Sequence, residues 1–144
     1  MNKYLLTLLL TLCRPLALAI AICDDALPRT SPTARFQDHG NGTVTDRGTS
    51  LTWMRCQLGQ TWRLPTIKEL ASILESACYK PALNETIFPR AMAGDGKEVN
   101  DGYVYLWSST PVPALQGVAY LDITSGSVAQ RAPRSWAKQV LLVR

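Results

Sequence analysis

The chain has 144 residues, with 15 Lys and Arg against 11 Asp and Glu and a single His. At 47% hydrophobic and 18% charged, this composition excludes a disordered acidic or basic tail. The Gly and Pro residues are scattered without a period, which excludes collagen-like and low-complexity chains. The length suits one domain, or one domain behind a targeting segment.

The first element is an export signal. Lys3 gives a positive start, residues 4–13 form an apolar run, Arg14-Pro15 interrupts it, and Leu16-Ala17-Leu18-Ala19-Ile20-Ala21 ends in small residues at alternate positions. That order predicts a secretory signal peptide over 1–21, cut after Ala21. A permanent anchor is the weaker reading, because Arg14-Pro15 leaves neither half near the roughly 20 apolar residues that a spanning helix needs. Bulky Ile22 ahead of Cys23 also disfavours lipid attachment. The expected location is therefore periplasmic or extracellular, with no membrane contact after cleavage. Cleavage leaves 123 residues with 13 basic and 11 acidic side chains, a net charge of +2. Such a charge, without a Lys/Arg cluster, argues against a nucleic-acid partner.

Cys13 leaves with the signal, and Cys23, Cys56 and Cys78 enter an oxidising compartment. Three thiols form at most one internal bridge and leave one sulfur over. Cys23–Cys78 would close about 55 residues and Cys56–Cys78 about 22, worth about 4 and about 3.4 kcal/mol in the chain-entropy treatment. That difference does not decide between them. The absence of Cys-x-x-Cys or Cys/His spacing gives no support to structural zinc.

Residues 22–34, with Pro28 and Pro32, read as an extended lead-in, and the domain proper runs over 35–144. His39-Gly40-Asn41-Gly42 between Arg35-Phe36-Gln37-Asp38 and Thr43-Val44-Thr45-Asp46 predicts a hairpin. Residues 51–56 are the next strand, with Leu51 and Trp53 on one face. The main helix is predicted over about 66–79. Thr66 and Glu69 form a capping box, and Ile67, Leu70, Ile73, Leu74 and Ala77 form its core stripe. Lys80-Pro81 ends it. Residues 84–101 read as a long loop, 103–109 as an aromatic and β-branched strand, 118–130 as a hairpin turning at Ser125-Gly126, and 138–144 as a final strand. The sum is an α+β domain with a mostly antiparallel sheet and long loops.

Candidate chemistry is sparse. Asp38, Asn41, Thr43 and Asp46 bring oxygens to a Gly-rich turn, as a hard cation such as calcium requires. The EF-hand pattern is absent, and an Asn-Gly hairpin turn accounts for the same residues. His39 with Ser108 or Ser109 is the one conceivable hydrolase grouping, but no nucleophile elbow or phosphate-cradling loop accompanies it. Trp53 and Trp107, lying in strands, are expected to pack in the core, and Trp136, in the polar stretch Arg134-Ser135-Trp136-Ala137-Lys138, is the aromatic best placed to stack on a ligand. Arg131, Arg134 and Lys138 nearby suit an anionic group, or a solvated edge strand.

Several segments taken together resemble a known family. They are Arg35-Phe36-Gln37-Asp38-His39-Gly40-Asn41-Gly42-Thr43-Val44-Thr45-Asp46, Leu51-Thr52-Trp53-Met54-Arg55-Cys56, Trp62-Arg63-Leu64-Pro65-Thr66-Ile67-Lys68-Glu69-Leu70, Pro81-Ala82-Leu83-Asn84 with Phe88-Pro89, Leu106-Trp107-Ser108-Ser109, and the last five residues. In this order they are similar to the C-terminal domain family of Legionella collagen-like (Lcl) proteins. The resemblance implies a C-type-lectin-like fold whose two ends pair as strands, and no enzymatic activity. It also implies a binding role toward a glycan or cell-surface polymer, without a cofactor. The chain departs from the family in running from Gln60-Thr61-Trp62 straight into Arg63-Leu64-Pro65, where family members carry a further stretch that often includes another cysteine. That departure implies that Cys56 has lost its partner, leaving Cys23 with Cys78. It also raises the alternative of a shortened relative with no ligand of its own. The family's turn often holds Asn and Asp where His39 and Asn41 stand, which weakens the cation reading.

Overall fold

The computed structural model describes residues 21–55, 62–89, 104–130 and 140–144. Residues 1–20 of the predicted signal, Cys56 and the stretch around Trp136 lie outside them. Strand β1 (Ile22–Cys23) opens the described chain, and β2 (Phe36–Asp38), β3 (Thr43–Asp46) and β4 (Thr52–Met54) follow. Next come helix α1 (Ile67–Ser72), β5 (Cys78–Tyr79), β6 (Tyr105–Val112), β7 (Gly117–Asp122) and β8 (Ser127–Ala129). The strands form three antiparallel sheets, ordered β1-β5, β2-β3-β4 and β6-β7-β8. The domain is α+β and mostly sheet, as the alternation of strand and turn signals predicts.

Both predicted hairpins form. Phe36 pairs with Asp46 and Asp38 with Val44 across the 39–42 turn. Tyr120 pairs with Ala129 and Asp122 with Ser127 across the turn at Gly126, whose φ of +76° suits a residue without a side chain.

The helix is shorter than its periodicity suggests. Thr66 accepts from the Glu69 amide while the Glu69 carboxylate accepts from the Thr66 amide, so the capping box is complete. The α-helix stops at Ser72, however, and not near 79. Strand pairing takes over the residues beyond it. Leu74 bridges Leu83, the Glu75 amide donates to the Ala82 carbonyl, and Cys78 pairs with Cys23 in β1. The apolar stripe still reaches the core, since Leu70, Ile73 and Ala77 are buried. Turns therefore carry the same face inward after the helix ends.

Among the described residues the two ends do not pair with each other. The amino-terminal strand lies on β5, whereas Val143 bridges both Trp53 and Arg63. Thr52 and Arg144 exchange amide–carbonyl bonds at 3.1 and 3.0 Å, so the last residues fill a slot between β4 and Arg63. Burial decides this placement. Leu141 and Val143 join Phe36, Val44, Trp53, Leu70, Leu106 and Leu121 in one core cluster, and the edge of β4 offers both a ladder and that core. Phe88 closes the cluster edge-on to Phe36 and Trp53, with centroids 5.6 and 6.2 Å apart.

The lead-in is not free. Cys23 and Cys78 form a disulfide, in agreement with the pairing that the family resemblance implies. The buried Glu75 carboxylate accepts the amides of Thr30 (2.8 Å) and Ser31 (2.9 Å). Asn84 Nδ2 donates to the Ser31 carbonyl at 2.9 Å.

Candidate functional site

The turn at 39–42 holds its oxygens inward. Asn41 Oδ1 accepts from the Thr43 amide and hydroxyl at 3.1 and 2.7 Å. Asp38 accepts the Gly40 amide and pairs with Arg55; the Gly40 bond, with Arg55 second, holds its carboxyl below the ordinary range. Asp46 sits at the far end of the hairpin from Asp38. It is fully buried and takes the Arg35 guanidinium bidentately, at 2.6 and 2.5 Å. Burial alone would raise the Asp46 carboxyl, but bonds from Arg35, Thr49 and Gly48 outweigh it and leave it lowered. The four residues proposed for calcium thus serve local bonds, Asp38 to Gly40 and Arg55, Asn41 to Thr43, and Asp46 to Arg35. Among the described residues no three His, Cys, Asp or Glu side chains converge on a metal position.

His39 and the serines are not brought together. His39 Nε2 bonds Thr45 Oγ1 at 2.8 Å on an exposed strand end. Ser108 Oγ is buried and donates to the Ala119 carbonyl at 2.6 Å, while Ser109 Oγ donates to the Pro65 carbonyl at 3.2 Å. Trp136, Arg131, Arg134 and Lys138 lie outside the described residues, as does Cys56.

A cleft that no sequence motif marks lies along β6 and β7. The ladder is regular from Tyr105 to Trp107, then shifts before resuming at Pro111 opposite Val118. Such an irregularity bends a strand and re-aims its side chains. Ser108 Oγ repairs it from within, accepting the Thr110 amide at 3.2 Å. The segment before α1 docks on the same place: Ser109 N donates to Pro65 O at 2.8 Å, and Ile67 N to Thr110 Oγ1 at 2.9 Å. The result is an open cleft of about 940 Å³ lined by Leu64, Trp107, Pro111, Pro113 and Val118, with Ser108, Gln116 and Gly117. Leu115, beside it in a short 3-10 turn, is 45% exposed. Alternation explains why Trp107, expected in the core, is only half-buried and lines the cleft. Leu106 and Leu121 pair across one face and enter the core, leaving Trp107 opposite Tyr120 on the other, where Tyr105 and Tyr120 meet edge to face at 5.2 Å.

A signal for this cleft was present in the sequence. Pro111 and Pro113 directly follow a strongly β-forming run, and proline inside a sheet marks an edge or a bulge.

A protein-family model, the Lcl C-terminal domain, matches residues 57–144. No curated protein and no solved structure matches the chain. The matched span holds α1, β5 to β8 and the carboxy-terminal residues, and therefore every residue named as lining the β6–β7 cleft. With more than half of its length covered, the chain belongs to the Lcl C-terminal domain family.

Proposed function

We propose that this protein is an exported, non-enzymatic, lectin-like binding module, and that its ligand is a carbohydrate seated in the β6–β7 cleft. The observation that carries this reading is the half-buried Trp107 indole on an open, mostly apolar wall, with the exposed Gln116 among the lining residues. Sugar rings present apolar faces edged by hydroxyls. An aromatic face suits the first and a side-chain amide, which both donates and accepts, suits the second. None of the described lining residues is charged, which favours stacking and neutral hydrogen bonds over ion pairing. The family membership and the predicted signal peptide support the same reading.

The test is a glycan panel, with neutral and sulfated polysaccharides in separate arms, run on folded protein. We expect saturable binding competed by free sugar, weakened at least about tenfold by Trp107→Ala, while Trp107→Phe retains most of it. A thermal melt should confirm that both variants fold. Binding to no arm, or binding indifferent to Trp107→Ala, overturns the proposal.

A further inference from the structure

A second, smaller cavity of about 300 Å³ contains the disulfide, with Arg29, Glu75, Asn84 and Glu85 among its walls. Its two sulfurs are not equivalent. Cys78 is 8% exposed, whereas Cys23 is half-buried and more open. Arg29 Nη1 donates to Cys78 Sγ, and Arg29 Nη2 is held by Asp25 Oδ1 at 3.0 Å. Among the described residues, no Lys or Arg donates to Cys23 Sγ. The carboxylates in the cavity have other partners. Glu75 accepts amides from Thr30, Ser31 and Ala77, and Glu85 accepts the Ala21 amide at 3.2 and 3.3 Å in the uncleaved chain, a bond that cleavage after Ala21 removes.

In thiol–disulfide exchange the attacking thiolate bonds to one sulfur and expels the other, and the better-stabilised thiolate leaves faster. A guanidinium beside a sulfur provides that stabilisation. We propose that Cys23 is a thiolation site for low-molecular-mass thiols, with Cys78 as the leaving sulfur received by Arg29. The incoming thiol gives its proton to solvent, and its sulfur forms a bond to Cys23 Sγ. The Cys23–Cys78 bond then breaks, and its electron pair stays on Cys78. No oxidant is consumed, because the disulfide passes from Cys78 to the incoming thiol. The modification frees β1, whose ladder to β5 is two residues long. Residues from Thr30 onward stay latched to Glu75.

The experiment uses oxidised protein carrying Cys13→Ser and Cys56→Ser, so that no other thiol scrambles the bridge. It is exposed to millimolar glutathione, quenched in acid, alkylated and digested with trypsin, which separates Cys23 from Cys78 at Arg29 and Lys68. The expected product carries glutathione on Cys23 and the alkyl group on Cys78. In Arg29→Gln the opening rate falls about tenfold and the preference between sulfurs shrinks. Glutathione on Cys78, or on both sulfurs equally, overturns the assignment, as does a native disulfide that never opens. An Arg29→Gln variant that is folded yet reacts at the unchanged rate and site also overturns it. If that variant does not fold, the site of attack in the parent protein alone decides.

Discussion

Arg35, Asp46 and Gly48 show how much one pair of side chains determines here. The Asp46 carboxylate is buried and receives the guanidinium on both oxygens. A Cβ built at Gly48 would stand 2.8 Å from Arg35 Nε, so the missing side chain is what lets the pair close. Breaking one partner of a buried pair strands the other, at a cost of about 3 kcal/mol. Asp46→Asn should therefore lower the unfolding free energy by about that amount in urea denaturation, and Gly48→Ala should reproduce part of the loss without touching either charge. Acid should act through the same kind of group. The Arg63 hydrogen bonds, aided by Thr66, lower Glu69 from 4.5 to about 2. Asp38, Asp46 and Glu75 are shifted in the same direction. A carboxyl that is more acidic folded than unfolded contributes its full stability above its ordinary value and loses it as pH falls through the folded value. Stability followed by circular dichroism should thus decline as pH drops from about 4.5 toward about 2, and Glu69→Gln should flatten that decline.

Among the elements, α1 and the β6–β7 connection follow different logic. The capping box of α1 is written in four consecutive residues, so its start is legible from the chain alone. Its end is not, because Ala82, Leu83 and Cys23 compete for the residues after Ser72 from other parts of the sequence. The β6–β7 connection ends in Gln116, which holds a left-handed φ of +48°, a region that costs a residue with a side chain about 1 kcal/mol. Gly would sit there with less strain, yet the chain keeps a side-chain amide among the residues lining the cleft. Gln116→Gly should leave stability unchanged or raise it by up to about 1 kcal/mol in thermal denaturation, while weakening glycan binding. A variant that loses both stability and binding would place Gln116 in the scaffold and not in the recognition surface.

Across the whole molecule, the carboxy-terminal residues act as the closing piece. Val143 is fully buried between β4 and Arg63, and Leu141 enters the same core. Each such side chain contributes about 1.5 to 3 kcal/mol by burial, a large share of the stability of a domain this size. Val143→Asp should abolish the cooperative thermal transition, whereas Val140→Asp, at a side chain that is 46% exposed, should leave it within about 0.5 kcal/mol. The sheet that receives these residues begins at β2, ahead of the span matched by the family model. The hairpin and the matched region nevertheless share one apolar interior, since Phe36 and Val44 pack with Leu70 and Leu121.

From its own order of residues the chain determines what near neighbours can settle. The Asn-Gly and Ser-Gly turns, the Thr66–Glu69 cap and the apolar stripe from Ile67 to Ala77 are all short-range patterns, and each is found in the fold. Only the tertiary structure decided where distant partners meet. It set Arg35 on Asp46, the last residues beside Trp53, and Leu64 with Pro111 around one cleft. Local spacing encodes turn geometry and which face is apolar, but the choice among several suitable partners depends on which packing buries the most apolar surface while pairing every buried charge.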